Sequence, residues 1–236
     1  MQKKVGIIGA MKVEVDFLKS KLEGDTKEVT AGGILFTEGL ISGTPVVVVQ
    51  SGVGKVNAAL CAQRLVLQFA VTHVINTGIA GAAAAGLRVL DFVVSTDALY
   101  HDMDATEFGY KRTVIPQMAC SDFVADEAMI NAAKEAFGTI DEAQGKRLIT
   151  GRIASGDQFI GAGKKKDEII GVCAPACVEM EGAAVAHACY LCGTPFVVIR
   201  CMSDMADESV ATSYSFNEAE AANLSAKLVL SMLAKL

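Results

Sequence analysis

Two carboxylates lie close together within a stretch of small and apolar residues, CVEMEGAAVAHAC at 177–189. They belong to Glu179 and Glu181. A buried carboxylate is costly unless a cation, a hydrogen-bond donor or a ligand pairs with it. Because the surrounding composition favours burial, these two side chains are candidates for chemistry.

Other polar side chains also follow apolar runs that are typical of strands. Glu14 follows VGIIGAM, Asp157 follows RLITGRIASG, and PFVVIRCMSD ends on Arg200, Ser203 and Asp204. Functional residues of such a sheet gather where strands end and helices begin, so these groups are predicted to share one site. One carboxylic acid can protonate a leaving group while a carboxylate activates water on the opposite face of a sugar, as in inverting glycoside hydrolysis.

Each acid taken alone also has a structural explanation. Glu14 can be a residue of the first turn of a helix, and Glu181 can be favoured by the dipole of the helix that it precedes. Asp204 can cap a turn. The catalytic interpretation therefore depends on the acids lying together.

The elements that must position these residues alternate along the chain. The runs VVVV at 46–49 and FVVI at 196–199 have no polar alternation, which is typical of central strands covered on both faces. Strands that alternate with helices predict an α/β fold: a single three-layer domain over 1–236, with a largely parallel or mixed twisted sheet flanked by helices. The predicted strands are KVGIIGAM, TPVVVVQSG, THVINTGIAG, DFVVSTDALY, RLITGRIASG, ACVEME and TPFVVIRCMSD, and the predicted helices are 12–22, 54–69, 125–137, 182–192 and 217–235.

The composition excludes several classes of protein. The chain has 236 residues, 52% hydrophobic, with a net charge of −6, which fits one soluble α/β domain without a nucleic-acid footprint. The longest basic run, KKK at 164–166, indicates a solvated helix face. No apolar window is long enough to predict a membrane span, and no cleavage site follows the first apolar run. Seven cysteines without a secretion signal predict buried thiols in a reducing cytoplasm.

Other short motifs carry weaker signals. SGVGKVN at 51–57 lacks the spacing of a phosphate loop, so it predicts a tight strand-to-helix turn with Lys55 on its rim. GIIGAM is too short for a dinucleotide fingerprint, and HDMD at 101–104 indicates a polar loop. His187 is predicted to be a packed core imidazole. No metal or cofactor is predicted.

Taken together, these segments resemble the 5′-methylthioadenosine/S-adenosylhomocysteine nucleosidases of the purine nucleoside phosphorylase-like superfamily. The resemblance implies hydrolysis of the N-glycosidic bond of those substrates, and of 5′-deoxyadenosine as a further candidate, to adenine and a 5-thioribose sugar in methionine salvage. The segments that carry it cover nearly the whole chain in order: VGIIGAMKVEV, SGVGKVNAAL, NTGIAG, YHDMDATEFGY, SGDQFI, VEMEGAAVAH and VVIRCMSDMAD.

The resemblance implies a role for each acid. Glu14 matches the base that activates water, and Asp204 matches the acid that protonates adenine at N7, oriented by Ser203. Glu181 matches the carboxylate that binds the ribose hydroxyls, with Met180 packing beneath the sugar. Asp204 must carry a proton in order to act, which burial favours. The negative charge of Glu181 favours an oxocarbenium-like transition state.

Further substrate contacts are implied by the same family. Phe159 matches the ring that stacks on adenine, and the backbone of Ile160 matches the group that contacts the edge of adenine. Glu179 has no direct role in the family and is expected to be structural. The remaining implied substrate-binding residues are Ile79, Ala80, Gly81 and Arg200.

The family also implies a homodimer that binds a small purine thionucleoside. The loop at 104–116 is expected to complete the 5′-thio pocket of the neighbouring subunit. Its apolar lip is expected to consist of Ala105, Phe108, Ile115 and Pro116 from the neighbour, with Met11, Val53 and Phe216 from the home subunit.

The sequence departs from the family at several positions. The family's NTGSAGG reads NTGIAGA, so Ile79 replaces a serine near the sugar and Ala82 replaces a glycine. Lys12 and Val13 stand where acids often precede the base, and Glu107 replaces a small residue. Two alternatives stay open: a nucleoside phosphorylase on the same fold and a non-catalytic purine-binding protein. The sequence does not rank the candidate substrates or exclude one of the futalosine type.

Overall fold

A mixed β-sheet flanked by α-helices gives the described residues an α/β fold. The computed structural model describes residues 3–206 and 210–236, without the side chains of 210–216. Within these ranges the ten strands are β1 (Val5–Gly9), β2 (Glu23–Ala31), β3 (Ile34–Ile41), β4 (Thr44–Gln50), β5 (His73–Ala82), β6 (Phe92–Tyr100), β7 (Asp122–Val124), β8 (Leu148–Ser155), β9 (Cys177–Glu179) and β10 (Phe196–Asp204). The α-helices there are α1 (Lys12–Lys19), α2 (Lys55–Leu67), α3 (Glu127–Phe137), α4 (Lys164–Cys173), α5 (Gly182–Cys192) and α6 (Val210–Leu233).

The sheet closes on itself at one end and stays open at the other. Strands β5, β10, β6, β8 and β9 form a ring, because β10 pairs with both β6 and β5. From β5 the sheet continues outward through β1, β4, β3 and β2. The neighbours β4, β1, β5 and β10 run parallel, whereas β9 lies antiparallel to β5. The carboxyl ends of the four parallel strands therefore meet at one edge.

The central strands owe their positions to apolar side chains on both faces. Val46, Val47, Val48 and Val49 of β4 are fully buried, and every residue of β10 is buried. Two groups of helices pack on the sheet: α2 against α5, and α6 against α1 and α3. This agrees with the central position predicted for the strands without polar alternation.

The edge of the sheet differs from the predicted element pattern. The strands β2 and β3 form a hairpin that the prediction missed, with Gly32 and Gly33 at positive φ in its turn. Strand β2 reads EGDTKEVTA and is mostly exposed, so it carries no hydrophobic period. A charged edge strand is a common protection against edge-to-edge pairing. The prediction also missed β7 and gave no bounds for α4, although the basic run at 164–166 indicated a helix there. Helix α1 ends at Lys19 rather than at 22.

Among the described residues, no helix is both long and apolar enough to cross a membrane. Helix α4 begins within the basic run at 164–166, and Lys164 and Lys165 are exposed, as that run predicts. The third lysine has a specific partner, because Lys166 Nζ donates to the carbonyl of Met205 at 2.7 Å. That bond attaches α4 to the segment that follows β10.

Candidate active site

An open cleft lies where the strand ends meet, with an internal volume of about 210 Å³. The predicted residues that line it are Met11, Glu14, Val53, Ile79, Ala80, Gly81, Phe159, Ile160, Met180, Glu181, Ser203 and Asp204. Four lining residues were not predicted to contact substrate: Ala10, Gln158, Val178 and Glu179. Ala10, Gln158 and Glu179 each adjoin a predicted residue in the chain, and Val178 lies two residues before Met180. That proximity was the available signal.

Glu14 is held in the cleft by backbone amides. It lies in the first turn of α1, where its carboxylate accepts hydrogen bonds from Met11 N at 2.9 Å and Ile79 N at 3.1 Å. A Cβ atom at position 78 would lie 2.4 Å from Glu14 Oε1, so this close approach requires Gly78. Burial raises the pKa of Glu14 above its ordinary value, although the charge of Arg200 and the amides oppose the shift.

Asp204 reaches the cleft through an irregularity in strand pairing. The register of β10 against β5 shifts between Met202 and Asp204, and such bulges often turn a side chain toward an active site. The carboxylate accepts hydrogen bonds from Ser203 Oγ at 2.8 Å and from Ala206 N at 2.7 Å. A Cβ atom on Gly81 would approach Asp204 Oδ1 to 3.0 Å, so a small residue is needed opposite the acid.

Glu181 enters the cleft from the N-terminus of α5. Its carboxylate accepts a hydrogen bond of 2.7 Å from the backbone amide of Gly54, which precedes α2. Burial and then the nearby charge of Glu179 raise the pKa of Glu181 to about 7, against the opposing effects of Gly54 and Arg200. A buried carboxylate with a raised pKa is stabilised by any partner that donates hydrogen bonds to it or carries positive charge.

Glu179, the other carboxylate of the opening motif, is fully engaged by the protein. It accepts hydrogen bonds from Gly182 N at 2.7 Å, from Glu181 N at 3.1 Å and from Ser155 Oγ. It also forms an ion pair with Arg200, a side chain that is 2% exposed. The two carboxylates therefore differ: Glu179 organises the wall and Glu181 faces the cleft.

The structure does not bring Arg200 to the wall of the cleft, in contrast to the predicted substrate contact. Its guanidinium binds Asn76 Oδ1 at 2.6 Å and Glu179, and it is absent from the described lining. It acts on the cleft through its charge, which opposes the burial shift of Glu14. The sequence placed it at a strand end but did not show which way its side chain pointed.

This cleft is not lined by the four residues that were predicted to reach a neighbouring subunit, Ala105, Phe108, Ile115 and Pro116. Phe108 belongs to a short 3₁₀ turn at 106–108 and is 85% exposed. The side chain of Phe216 lies outside the described residues. By contrast, Phe159 lines the cleft while remaining 59% exposed.

Two further predictions concern residues outside the cleft. His187 stacks on Phe123 with ring centroids 4.6 Å apart, and its Nδ1 lies 3.2 Å from the hydroxyl of Tyr100. It is therefore a packed imidazole, as predicted, but it is half-buried and does not belong to the core. The turn before α2 places Lys55 at its rim, where the ammonium contacts Asp102 at 2.6 Å.

Comparisons with known proteins agree with this architecture. The family model described as the Phosphorylase superfamily matches residues 4–234. A 5′-methylthioadenosine/S-adenosylhomocysteine nucleosidase from Geobacillus kaustophilus is 43% identical over 98% of this chain and 96% of its own length.

Solved structures give the same result. The nucleosidase of that name from Colwellia psychrerythraea, in complex with adenine, superposes with a TM-score of 0.94 at 41% identity, covering 100% of this chain and 96% of its own. The one from Neisseria meningitidis, in complex with methylthio-immucillin-A, has a TM-score of 0.93 at 39% identity, covering 99% and 100%. The chain thus belongs to the phosphorylase superfamily and, within it, to the 5′-methylthioadenosine/S-adenosylhomocysteine nucleosidases.

Proposed function

We propose that this chain hydrolyses the N-glycosidic bond of 5′-methylthioadenosine and S-adenosylhomocysteine, releasing adenine and the 5-thioribose sugar. The observation that carries the proposal is the presence of Glu14, Glu181 and Asp204 in one cleft beside an exposed aromatic ring. Family membership supplies the substrate class, since relatives of that name bind adenine and methylthio-immucillin-A.

Asp204 is the general acid in this proposal. Its proton passes to adenine N7 as the bond from N9 to the sugar breaks, so adenine leaves as a neutral molecule and Asp204 becomes a carboxylate. The hydroxyl of Ser203 and the amide of Ala206 hold the carboxyl group in place. General acid catalysis of this kind is commonly worth about 10²–10⁴-fold in rate.

Glu14 is the general base. It takes a proton from the attacking water, whose oxygen forms the new bond to the anomeric carbon, and Glu14 becomes a carboxylic acid. Burial makes it a stronger base than a solvated glutamate by raising its pKa. The amides of Met11 and Ile79 fix its orientation without using any side chain at position 79.

Glu181 and the apolar wall bind the nucleoside. The ribose hydroxyls donate to Glu181, and its negative charge stabilises the oxocarbenium-like sugar. Met180 packs beneath the sugar, Phe159 stacks on adenine and the backbone of Ile160 contacts the adenine edge. These assignments are supported by the position of all four residues in the lining of the cleft.

Water rather than phosphate is the nucleophile. Among the described residues that line the cleft there is neither lysine nor arginine. Phosphorylases need cations to bind a phosphate dianion, and Arg is the usual residue for this purpose. The guanidinium of Arg200 is already bound to Glu179 behind the wall. The lining therefore favours hydrolysis.

The test of this function is adenine release from 5′-methylthioadenosine by the purified chain. Adenine should accumulate together with free 5-thioribose, without any added metal or cofactor. Retention of intact nucleoside after prolonged incubation, with demonstrable nucleoside binding, would favour a non-catalytic purine-binding protein instead.

We also propose that the chain acts as a homodimer in the cytoplasm. The exposed Phe108 lies in the loop at 104–116, and the cleft residues Val53 and Phe159 are more exposed than apolar side chains usually are. A second copy would cover these surfaces and complete the 5′-thio pocket. Free thiols at all seven cysteines suit a reducing compartment.

Subunit mixing tests the dimer. Phe108→Asp should damage the loop that reaches the neighbour, and Asp204→Asn should remove the acid of the home site. Mixed dimers would contain one site with both residues intact, so combining the two inactive variants should restore activity. A monomer by sedimentation velocity at working concentration, without such restoration, would contradict the proposal.

A further inference from the structure

Three charged side chains from separate parts of the chain meet beside the mouth of the cleft. Lys55 Nζ lies 2.6 Å from Asp102 Oδ2 and 3.7 Å from Asp157 Oδ2. The backbone amide of Asp157 donates to the same oxygen of Asp102 at 3.1 Å. We refer to Lys55, Asp102 and Asp157 as the Lys55 clasp. It joins the start of α2, the segment that follows β6 and the segment that follows β8.

The clasp is partly shielded from solvent. The Asp102 side chain is 14% exposed and that of Lys55 is 28% exposed. The Lys55 ammonium also lies 5.5 Å from the centroid of the Tyr100 ring, within the range of a cation–π contact. Burial alone would raise the pKa of Asp102, but hydrogen bonds from Lys55 and Asp157 hold it below its ordinary value. Asp102 is therefore a carboxylate at neutral pH.

Lys55 thus lies between two like charges. With Lys55 removed, the carboxylates of Asp102 and Asp157 would lose the ammonium group that pairs with both. Like charges at this range repel strongly where solvent is partly excluded. The segment that carries Asp157 would then move away from Asp102, because the Asp157 side chain is the more exposed at 51%.

That segment also forms part of the cleft. Residues 158–160 follow Asp157 directly and line the cleft. On the other side of the clasp, consecutive backbone amides of the α2 turn donate to two carboxylates: Gly54 N to Glu181 at 2.7 Å and Lys55 N to Asp157 at 2.9 Å. The turn therefore holds the purine side and the sugar side of the cleft at once.

We propose that Lys55 is a positioning residue for nucleoside binding, which fixes the segment carrying Phe159 and Ile160 relative to Glu181. This inference rests on the proposed function for the roles of those three residues. It assigns a purpose to the SGVGKVN turn, whose lysine the sequence places on the rim.

The first test replaces Lys55 by Met, which keeps the length of the side chain and removes its charge. KM for 5′-methylthioadenosine should rise by about five- to tenfold, with kcat changed by less than about threefold, because the acid and base lie elsewhere. The dissociation constant of adenine, measured by calorimetry, should rise by the same factor.

A matched control is Lys227→Met, which breaks the ion pair of Lys227 with Glu142 on the surface. Lys227 is 30% exposed, close to the value for Lys55. Its kinetic constants should stay at the wild-type values. An equal rise in KM for both variants would overturn the proposal, since it would reflect a general loss of stability.

The second test is rescue. In the Lys55→Met background, Asp157→Asn removes one of the two repelling charges and offers an amide donor to Asp102. The double variant should bind adenine more tightly than Lys55→Met alone, by at least about threefold. Absence of rescue, or an unchanged KM in Lys55→Met, would exclude a positioning role. If instead the wild-type chain neither binds adenine nor releases it from 5′-methylthioadenosine, the proposed function itself is wrong. That outcome differs from a failure of the Lys55 proposal, in which the wild-type chain stays active.

Discussion

Arg200 forms a buried ion pair with Glu179, a residue of the cleft wall, and the charge of Arg200 also acts on Glu14. Removing either member of the pair leaves the other charge buried and uncompensated, which typically costs about 3–5 kcal/mol. The two single variants should therefore lose comparable stability. Their effects on the pH dependence of catalysis should differ in direction, because the lost charges have opposite sign.

Arg200→Met should move the acidic limb of the kcat/KM profile to higher pH. Arg200 lowers the pKa of both Glu14 and Glu181, so its loss raises both values and less of each residue is ionised at a given pH. Glu179→Gln should move the same limb to lower pH, since Glu179 raises the pKa of Glu181. Shifts in the same direction for both variants would contradict this assignment of charges.

Asp204→Asn should abolish most of the turnover while leaving the shape of the cleft intact. The amide cannot supply the proton that adenine N7 needs, so kcat should fall by at least about 10²–10⁴-fold. Adenine should still bind, because the stacking and backbone contacts remain. Ser203→Ala provides a milder comparison. It keeps the acid but removes the 2.8 Å hydrogen bond to it, so a smaller loss of kcat is expected. Near-normal turnover by Asp204→Asn would remove Asp204 from its role.

Glu181 should make the folded protein less stable as the pH rises. Its folded pKa is raised from 4.5 to about 7, so the folded state binds the proton more tightly than the unfolded state does. The associated stability is fully present below about pH 4.5 and is lost as the pH rises through about 7. Because a pKa difference of one corresponds to about 1.4 kcal/mol, the loss is on the order of a few kcal/mol. Chemical denaturation at pH 4 and pH 8 measures this difference. Glu181→Gln should reduce it, whereas an unchanged difference would assign it to other groups.

Ile79→Ser should leave activity unchanged or raise it modestly. The contact that residue 79 makes with Glu14 comes from its backbone amide at 3.1 Å, which any residue except proline supplies. The serine hydroxyl would add a possible contact to the sugar or the water. Ile79→Val serves as the apolar control for lost volume. A loss beyond about tenfold, or roughly 1.4 kcal/mol, confined to the serine variant would show that the cleft depends on an apolar side chain at this position.

Most of the candidate site could be predicted because strand ends converge in this class of fold. Glu14, Glu181 and Asp204 each follow an apolar run. Parallel pairing brings the ends of β1, β5 and β10 to one edge, and β9 joins them by pairing antiparallel with the end of β5. Sequence alone could not give the direction of Arg200, because a side chain on a fully buried strand has no polar alternation to mark its face.

The clasp and the outer hairpin were beyond sequence reasoning for different reasons. Lys55 and Asp102 meet only through the tertiary fold, and each alone has an ordinary explanation as a surface residue. Strand β2 is charged and mostly exposed, so its pairing with β3 leaves no apolar period in its sequence. Tertiary contacts determine the clasp, and strand pairing determines the hairpin, more than local composition does.

The sugar product distinguishes hydrolysis from phosphorolysis. A phosphate dianion in the cleft would meet Glu14 and Glu181, and the described lining offers it no cationic side chain. Repulsion between like charges in a partly dry cleft amounts to several kcal/mol at low effective dielectric, whereas water can donate its proton to Glu14. We therefore expect free 5-thioribose as the product, and a rate that does not rise when phosphate is added. Phosphorus and proton NMR of reactions with and without phosphate provide the measurement, and sodium sulfate at equal ionic strength is the control. A sugar 1-phosphate, or turnover that requires phosphate, would establish phosphorolysis and overturn the role of Glu14 as the base that activates water.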